Sequence, residues 1–431
     1  MNKENKIKCR NCNEPLQNTF ANLGTQPICE TYLTLDETNE KEIFYPLHVY
    51  VCKKCFLVQL VESISSIDLF SDYSYFSSHS KGWLNHIETY SDMIINKLKL
   101  SSQSKIVEIG SNDGYLLKFF TEKKIPVLGV ESAKNVATEA ISKGISTLIE
   151  FFNSETVNKI IKKHGKSDLI IGNNILAQIP DIHSFIENLK KLLKPLGTIT
   201  IEFHHLLNLI KKNQFDTISH ERFSYLSFLV VEKLFLSHDL KIYDVEEHPT
   251  HGGSLRIYAR HKSDTSRIVT SRVKDLKLKE ISSGLTKIET YLNFEDKVKE
   301  IKIKILHLLI ELKEKNKSIA GYGAHSEAHT ILNYCGITSD FIDYTVDRNT
   351  YKQGKYIAGI HLPILNPKKI YETKPNYVVV LPWNIKKEIM KQMEKIDEWN
   401  GKFIVLIPEL KIYNSDRTEY SIDNIKMEEL S

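Results

Sequence analysis

No run of about eighteen apolar residues occurs anywhere in the 431-residue chain, so no membrane-spanning helix is expected. No charge of one sign dominates either: 58 Lys and Arg against 54 Asp and Glu leave +4, too little for a nucleic-acid-binding surface. The opening Met1-Asn2-Lys3-Glu4-Asn5-Lys6 has no apolar stretch behind it, and no signal peptide is expected. Low-complexity tracts and short repeats are missing. Cysteine is scarce, six residues in all. These absences describe a soluble, cytoplasmic protein without nucleic-acid or membrane partners, a monomer or small homo-oligomer. In that compartment thiols stay reduced, and metal binding is favoured over disulfides. What is present is ordinary globular protein, 41% hydrophobic and 26% charged, long enough for two or three domains.

Four of the six cysteines form two C-x-x-C pairs, Cys9-Arg-Asn-Cys12 and Cys52-Lys-Lys-Cys55. Each pair places two thiolates on one side of a tight turn, and two pairs complete a tetrahedral Zn²⁺ site. Four thiolates leave no open coordination position, so the metal is expected to be structural. Cys29 and Cys335 read as small buried hydrophobes.

Residues 104–260 alternate strand and helix patterns: Lys105–Ile109, Val127–Val130, Leu169–Ile171 and Gly197–Phe203 as strands, with Tyr115–Lys123 and Ile182–Leu193 as helices. Alternation of this kind predicts a mainly parallel, doubly wound sheet. A second alternation begins at Ile319-Ala-Gly-Tyr-Gly-Ala324, with strands over Phe341–Val346, Tyr377–Leu381 and Phe403–Ile407. The expected organisation is a zinc module over 1–66, a sheet domain with helical lead-in over 67–260, a helical connector over 261–317, a second α/β domain over 318–415 and a polar tail over 416–431.

The first strand runs into Gly110-Ser-Asn-Asp-Gly114. Gly110 allows a sharp turn at the carboxyl end of the strand, and Gly114 is read as allowing close ligand approach at the helix start. The spacing is G-x-x-x-G rather than the G-x-G-x-x-G that cradles a pyrophosphate, which favours a ribose with an amino-acid arm over a dinucleotide. Glu131 ends the next strand, where an acid accepts both ribose hydroxyls. Asn173 and Asn174 end a later strand on the same rim. The three features in order point to S-adenosylmethionine.

With these motifs in place the chain resembles the S-adenosylmethionine-dependent sugar C-methyltransferases that modify nucleotide-linked keto-sugars. The likeness rests on the paired knuckles with Leu23-Gly-Thr-Gln-Pro27 between them and on Tyr73-Ser-Tyr75-Phe-Ser-Ser78. It continues through Glu108-Ile-Gly-Ser-Asn-Asp-Gly114, Asn173-Asn-Ile-Leu-Ala177, His251-Gly-Gly-Ser-Leu-Arg256, Gly321-Tyr-Gly-Ala324, Val346-Asp-Arg-Asn349 and Leu381-Pro-Trp-Asn384. It implies a class I (Rossmann-like) methyltransferase sheet flanked by a small zinc-binding module and a second C-terminal α/β domain. Tyr75, Ser78, Gly110, Asn112, Asp113, Glu131, Asn173 and Asn174 are then expected at the cofactor, and Tyr73, His251, Arg256, Trp383 and Asn384 at a nucleotide-sugar substrate.

Members carry Tyr-His-Glu-His after a Phe-Asp-Thr-Ile run, with the last His as base. Here Phe215-Asp-Thr-Ile218 is followed by Ser219-His220-Glu221-Arg222, Gln178 stands where a further His is expected, and Glu327 replaces a Lys. Arg222 cannot give up its proton. The catalytic group is therefore read as His220 and Glu221 for proton transfer, with Arg222 as an electrostatic partner. Heteroatom methylation of a related carbohydrate, and a non-catalytic cofactor-binding homologue, are the alternative readings.

Overall fold

The computed structural model describes residues 7–70, 76–79, 81–414 and 419–421. By their contacts these form two units, each assembled from three stretches of chain. The first comprises 1–17, 51–207 and 222–288, and the second 18–50, 208–221 and 289–431. The stretch expected as a connector thus divides at Ile288, and residues 18–50 of the expected zinc module belong to the second unit. Among the described residues no helix is long and apolar enough to cross a membrane.

In the first unit the seven sheet strands are β1 (Ile106–Ile109), β2 (Val127–Glu131), β3 (Thr147–Ile149), β4 (Ser167–Asn173), β5 (Leu193–His204), β6 (Leu240–His248) and β7 (Ser254–His261). Their spatial order is 3-2-1-4-5-7-6. Strands β1 to β5 pair in parallel, and β7 is antiparallel to both neighbours. This is the class I methyltransferase arrangement. The strand order reverses between β1 and β4, and open α/β sheets take their ligands outside the carboxyl ends at such a point.

Helix α1 (Lys81–Leu98) lies on this sheet because Trp83, Ile87, Tyr90 and Ile94 recur at helical spacing. All four are buried with Ile106, Leu116, Phe120, Leu169 and Tyr258, each such side chain contributing on the order of 1.5–3 kcal/mol. Helix α2 (Leu117–Glu122) follows the glycine loop, and α3 (Lys134–Ser142) follows β2. From α4 (Ser271–Ser282) the carboxylate of Glu280 reaches into the same unit. It accepts from His205 Nε2 at 2.7 Å and from the Phe228 and Leu229 amides at 2.7 and 2.8 Å. What reads as a connector helix therefore clasps the residue next to the end of β5.

In the second unit β8 (Ile319–Tyr322), β9 (Tyr344–Val346), β10 (Leu362–Leu365), β11 (Tyr377–Val380) and β12 (Lys402–Val405) form a parallel core in the order 10-9-8-11-12. Antiparallel strands extend both edges, Tyr356–Ile357 and Tyr32–Leu33 on one side, Lys411–Tyr413 and Glu419–Ser421 on the other. Helix α5 (Ser326–Cys335) follows β8.

Candidate active site and metal centre

The four cysteine sulfurs of the two knuckles lie within 4.8 Å of one another. Cys9 and Cys55 approach to 3.5 Å, as do Cys12 and Cys52. A tetrahedron with metal–sulfur bonds of about 2.3 Å has edges of roughly 3.8 Å, so the donor set fits Zn²⁺. Gln59 donates its side-chain N–H to Cys9 Sγ at 3.1 Å while accepting from the Arg10 amide at 2.9 Å, an outer hydrogen bond of the kind that orients a thiolate ligand.

At the glycine loop, Gly110 and Asn112 have φ of 69° and 48°. Glu131 binds the turn through both oxygens, accepting from the Asn112 and Ala133 amides at 2.9 Å each. Burial raises its pKa above the usual carboxylate range, and the Ala133 and Asn112 amides oppose that shift. The Ser132 amide and hydroxyl also favour its ionised form, so the carboxylate is an ordered acceptor at the place where a ribose diol is expected. The Ser77 amide donates to Asn112 Oδ1 at 2.9 Å and ties the segment holding Ser78 to the loop. Asn173 donates to the Tyr115 hydroxyl at 3.3 Å, and the Asn174 amide donates to the Glu202 carbonyl at 2.7 Å. Tyr73 and Tyr75 lie outside the described residues.

One reading of this loop needs correction. A Cβ on Gly114, whose φ is 75°, would stand 2.9 Å from Ile145 and 3.3 Å from Ala140. This glycine serves packing against α3 and the turn after it, not ligand approach. Asp113 is buried; its Oδ2 pairs with Lys143 at 3.4 Å, and its Oδ1 has no hydrogen-bond partner among the described residues.

Glu108 was not singled out as a site residue. Burial pushes its carboxyl well above the usual range, the neighbouring Tyr115 hydroxyl pulls it back in part, and the charges of Glu131 and Asp113 add to the rise. A cationic ligand group beside these acids would favour their ionised forms. In the sequence Glu108 stood only as the first residue of the Glu108–Gly114 motif.

Beyond the loop, cross-strand register sets Arg256 of β7 opposite Glu202 of β5. Glu202 also meets His86 Nε2 at 2.9 Å and accepts from Thr250 and Ser254 hydroxyls at 2.9 and 2.8 Å. Burial opposes its ionisation, but Arg256 and His86 outweigh it and hold the carboxyl far below its ordinary range. The Arg256 guanidinium lies over the Tyr90 ring at 4.1 Å. Arg256, expected at the substrate, is a buried counter-ion here: its Nη2 meets Glu202, its face covers Tyr90, and its Nε has no hydrogen-bond partner among the described residues.

His251, with φ of 51°, opens the Gly252-Gly253 turn between β6 and β7. Its ring lies 5.1 Å from Trp83 and 5.0 Å from His204. Trp83 stacks on His86 at 5.2 Å, which meets His248 edge-on at 4.9 Å. Arg222 approaches His204 Nδ1 to 3.3 Å. An aromatic and imidazole-rich wall thus follows the carboxyl end of β5, assembled by α1, β5 and β6 from distant stretches of the chain.

His220 and Glu221 belong to the second unit. His220 is buried, and its Nε2 donates to the Tyr45 carbonyl at 3.3 Å. Burial lowers its pKa below the usual histidine value, with the Tyr45 and Pro46 carbonyls opposing. A carbonyl only accepts, so the neutral ring carries its proton on Nε2 and a lone pair on Nδ1. Trp383 packs against the second unit's core and donates its indole N–H to Asp216 at 2.7 Å, while Asn384 is exposed.

Three family models match this chain: a "zinc binding domain" over 9–70, a "Methyltransferase domain" over 84–245 and a "C-methyltransferase C-terminal domain" over 249–408. The C-methyltransferase NovU of Streptomyces niveus is 32% identical over 95% of this chain and 98% of its own length. A ubiquinone biosynthesis O-methyltransferase of Bartonella bacilliformis is 30% identical over 22% of this chain and 40% of its own. Among solved structures, the PH0226 protein of Pyrococcus horikoshii covers 46% of this chain and 98% of its own at 14% identity and a TM-score of 0.36. The magnesium protoporphyrin IX methyltransferase of Synechocystis, with bound SAH, covers 42% and 83% at 14% identity and a TM-score of 0.33.

Proposed function

The chain belongs to the S-adenosylmethionine-dependent C-methyltransferase family, and we propose that it methylates a carbon next to the ketone of a nucleotide-linked sugar. The structural zinc of the paired knuckles goes with that membership. Bound S-adenosylmethionine supplies an electrophilic methyl group. Glu131 and the Asn112 turn hold its ribose in this reading, and the acids around Glu108 favour its cationic arm.

Carbon methylation needs a base for a C–H proton, and the observation that carries the proposal is the state of His220. Burial keeps the ring neutral, while the hydrogen bond to the Tyr45 carbonyl places its proton on Nε2 and leaves Nδ1 as the basic atom. As the proton leaves, negative charge gathers on the ketone oxygen. The permanent charge of Arg222 is suited to stabilising that oxygen, a role it can perform without losing a proton.

The test is incubation of candidate keto-sugar nucleotides, deuterated next to the ketone, with methyl-labelled cofactor and mass spectrometry of the product. Carbon transfer loses one deuterium for each methyl gained. Products that keep every deuterium would sink carbon methylation in favour of a heteroatom. Transfer to sugars without a nucleotide, and to none with one, would overturn the carrier.

A further inference from the structure

The second unit repeats, on its own sheet, the turn that surrounds Glu131. In the first unit the Gly110 amide donates to the Val130 carbonyl at 2.9 Å, and Glu131, ending β2, accepts from Asn112 and Ala133 at 2.9 Å each. In the second, the Gly323 amide donates to the Val346 carbonyl at 2.7 Å. Asp347, next after β9, accepts from the Ala324 amide at 2.9 Å and the Asn349 amide at 2.8 Å. In both units an acid beyond the second strand caps the turn after the first and bonds the amide two residues further on. Asp347, bonded by these two amides, keeps about two acceptor positions at the place in the fold that Glu131 holds in the first unit.

A separate observation indicates that this loop receives a ligand. Among the described residues, Asp216 Oδ1, His325 Nε2 and both ring nitrogens of His329 are buried without hydrogen-bond partners. Asp216 and His329 are each only 2% exposed. The Tyr32 ring meets His329 at 5.1 Å, and its hydroxyl donates to the Ala324 carbonyl at 2.6 Å, on the loop capped by Asp347. Buried polar atoms are almost always partnered, so a group of orphans beside one loop marks a place for polar ligand atoms.

The local charge selects which ligand atoms. A helix start after such a loop ordinarily seats a phosphate. Here the Ser326 amide already donates to Glu30 Oε1 at 3.1 Å, the Ala328 amide to His325 Nδ1 at 3.3 Å, and Glu327 stands 2.8 Å from that imidazole. Lys352, 3.6 Å from Glu30, is the lysine found among these carboxylates. A phosphate at the start of α5 would face Glu30 and Glu327, whereas sugar hydroxyls would not be repelled.

We propose that Asp347 binds the 2′,3′-diol of a ribonucleoside, so that the second unit distinguishes ribonucleotide from 2′-deoxyribonucleotide carriers. This inference rests on the reading that the substrate is nucleotide-linked. Loss of the 2′-hydroxyl removes one of two hydrogen bonds to a carboxylate, an effect of about 10- to 100-fold in affinity.

The experiment is calorimetry on the full chain saturated with S-adenosylhomocysteine, which occupies the first unit's site. The probes are UMP, CMP, GMP and AMP, their 2′-deoxy counterparts, and TMP. At least one ribonucleotide should bind about 10- to 100-fold more tightly than its deoxy partner. Asp347→Asn should abolish that gap while leaving S-adenosylhomocysteine binding intact, and Asp347→Ser carries the same comparison if the first variant does not fold. Nucleotides bound without ribose preference, or a preference that survives in the variant, would overturn the inference and leave the nucleotide-linked reading standing. Binding of none of the nucleotides would overturn that reading and the inference with it.

Discussion

Glu202 and Arg256 face each other across β5 and β7 as an ion pair in which the two side chains are 0% and 2% exposed. Removing the cation alone leaves a buried carboxylate without its permanent counter-charge, with His86 as its remaining ionisable partner at 2.9 Å. Arg256→Ala should destabilise the protein by about 3–5 kcal/mol, measured as a fall in the urea midpoint. Adding Glu202→Gln should recover part of that loss. A single variant with unchanged stability would show that the pair is not a structural anchor.

Asp216 gives a pH dependence of definite sign. Burial, reinforced by Glu327, raises its carboxyl to about 7 in the folded chain from an ordinary value of 3.8. Between these values the folded state holds a proton that the unfolded state has released. Stability therefore falls as pH rises through that window, by up to about 1.4 kcal/mol per pH unit from this group, and levels off above about 7. Asp216→Asn should flatten the profile by one proton, which denaturation at a series of pH values will read.

Glu131→Ala removes the acceptor assigned to the ribose diol. Affinity for S-adenosylhomocysteine should fall about 10- to 100-fold by calorimetry, with zinc content unchanged. Equal affinity would move the ribose elsewhere.

Cys12→Ser leaves three thiolates in the knuckle pair. Bound zinc per chain should drop and the melting temperature should fall with it, before any defect specific to the chemistry. Full zinc occupancy in that variant would exclude Cys12 as a ligand.

The sheet strands and the metal ligands were legible in the sequence because each depends on short-range pattern. Cys9, Cys12, Cys52 and Cys55 declare their geometry by spacing, and Glu131 declares its position by ending an apolar strand. The ion pair of Arg256 was not legible, because Glu202 is a strand partner 54 residues away. Gly114 was misread because a loop glycine looks the same whether a ligand or Ile145 occupies the missing Cβ. The similar placement of Glu131 and Asp347 was hidden as well: Gly110-Ser-Asn and Gly323-Ala-His share little beyond the glycine, and only the amide bonds reveal the match.

The chain passes between its two units five times, at residues 17/18, 50/51, 207/208, 221/222 and 288/289. No single crossover within the gene can therefore exchange one complete unit for that of a relative. The two units must be inherited together, and change is open to this lineage by point substitution more readily than by recombination. The departures read at Ser219, Arg222 and Glu327 are of that kind, single substitutions rather than exchanged segments.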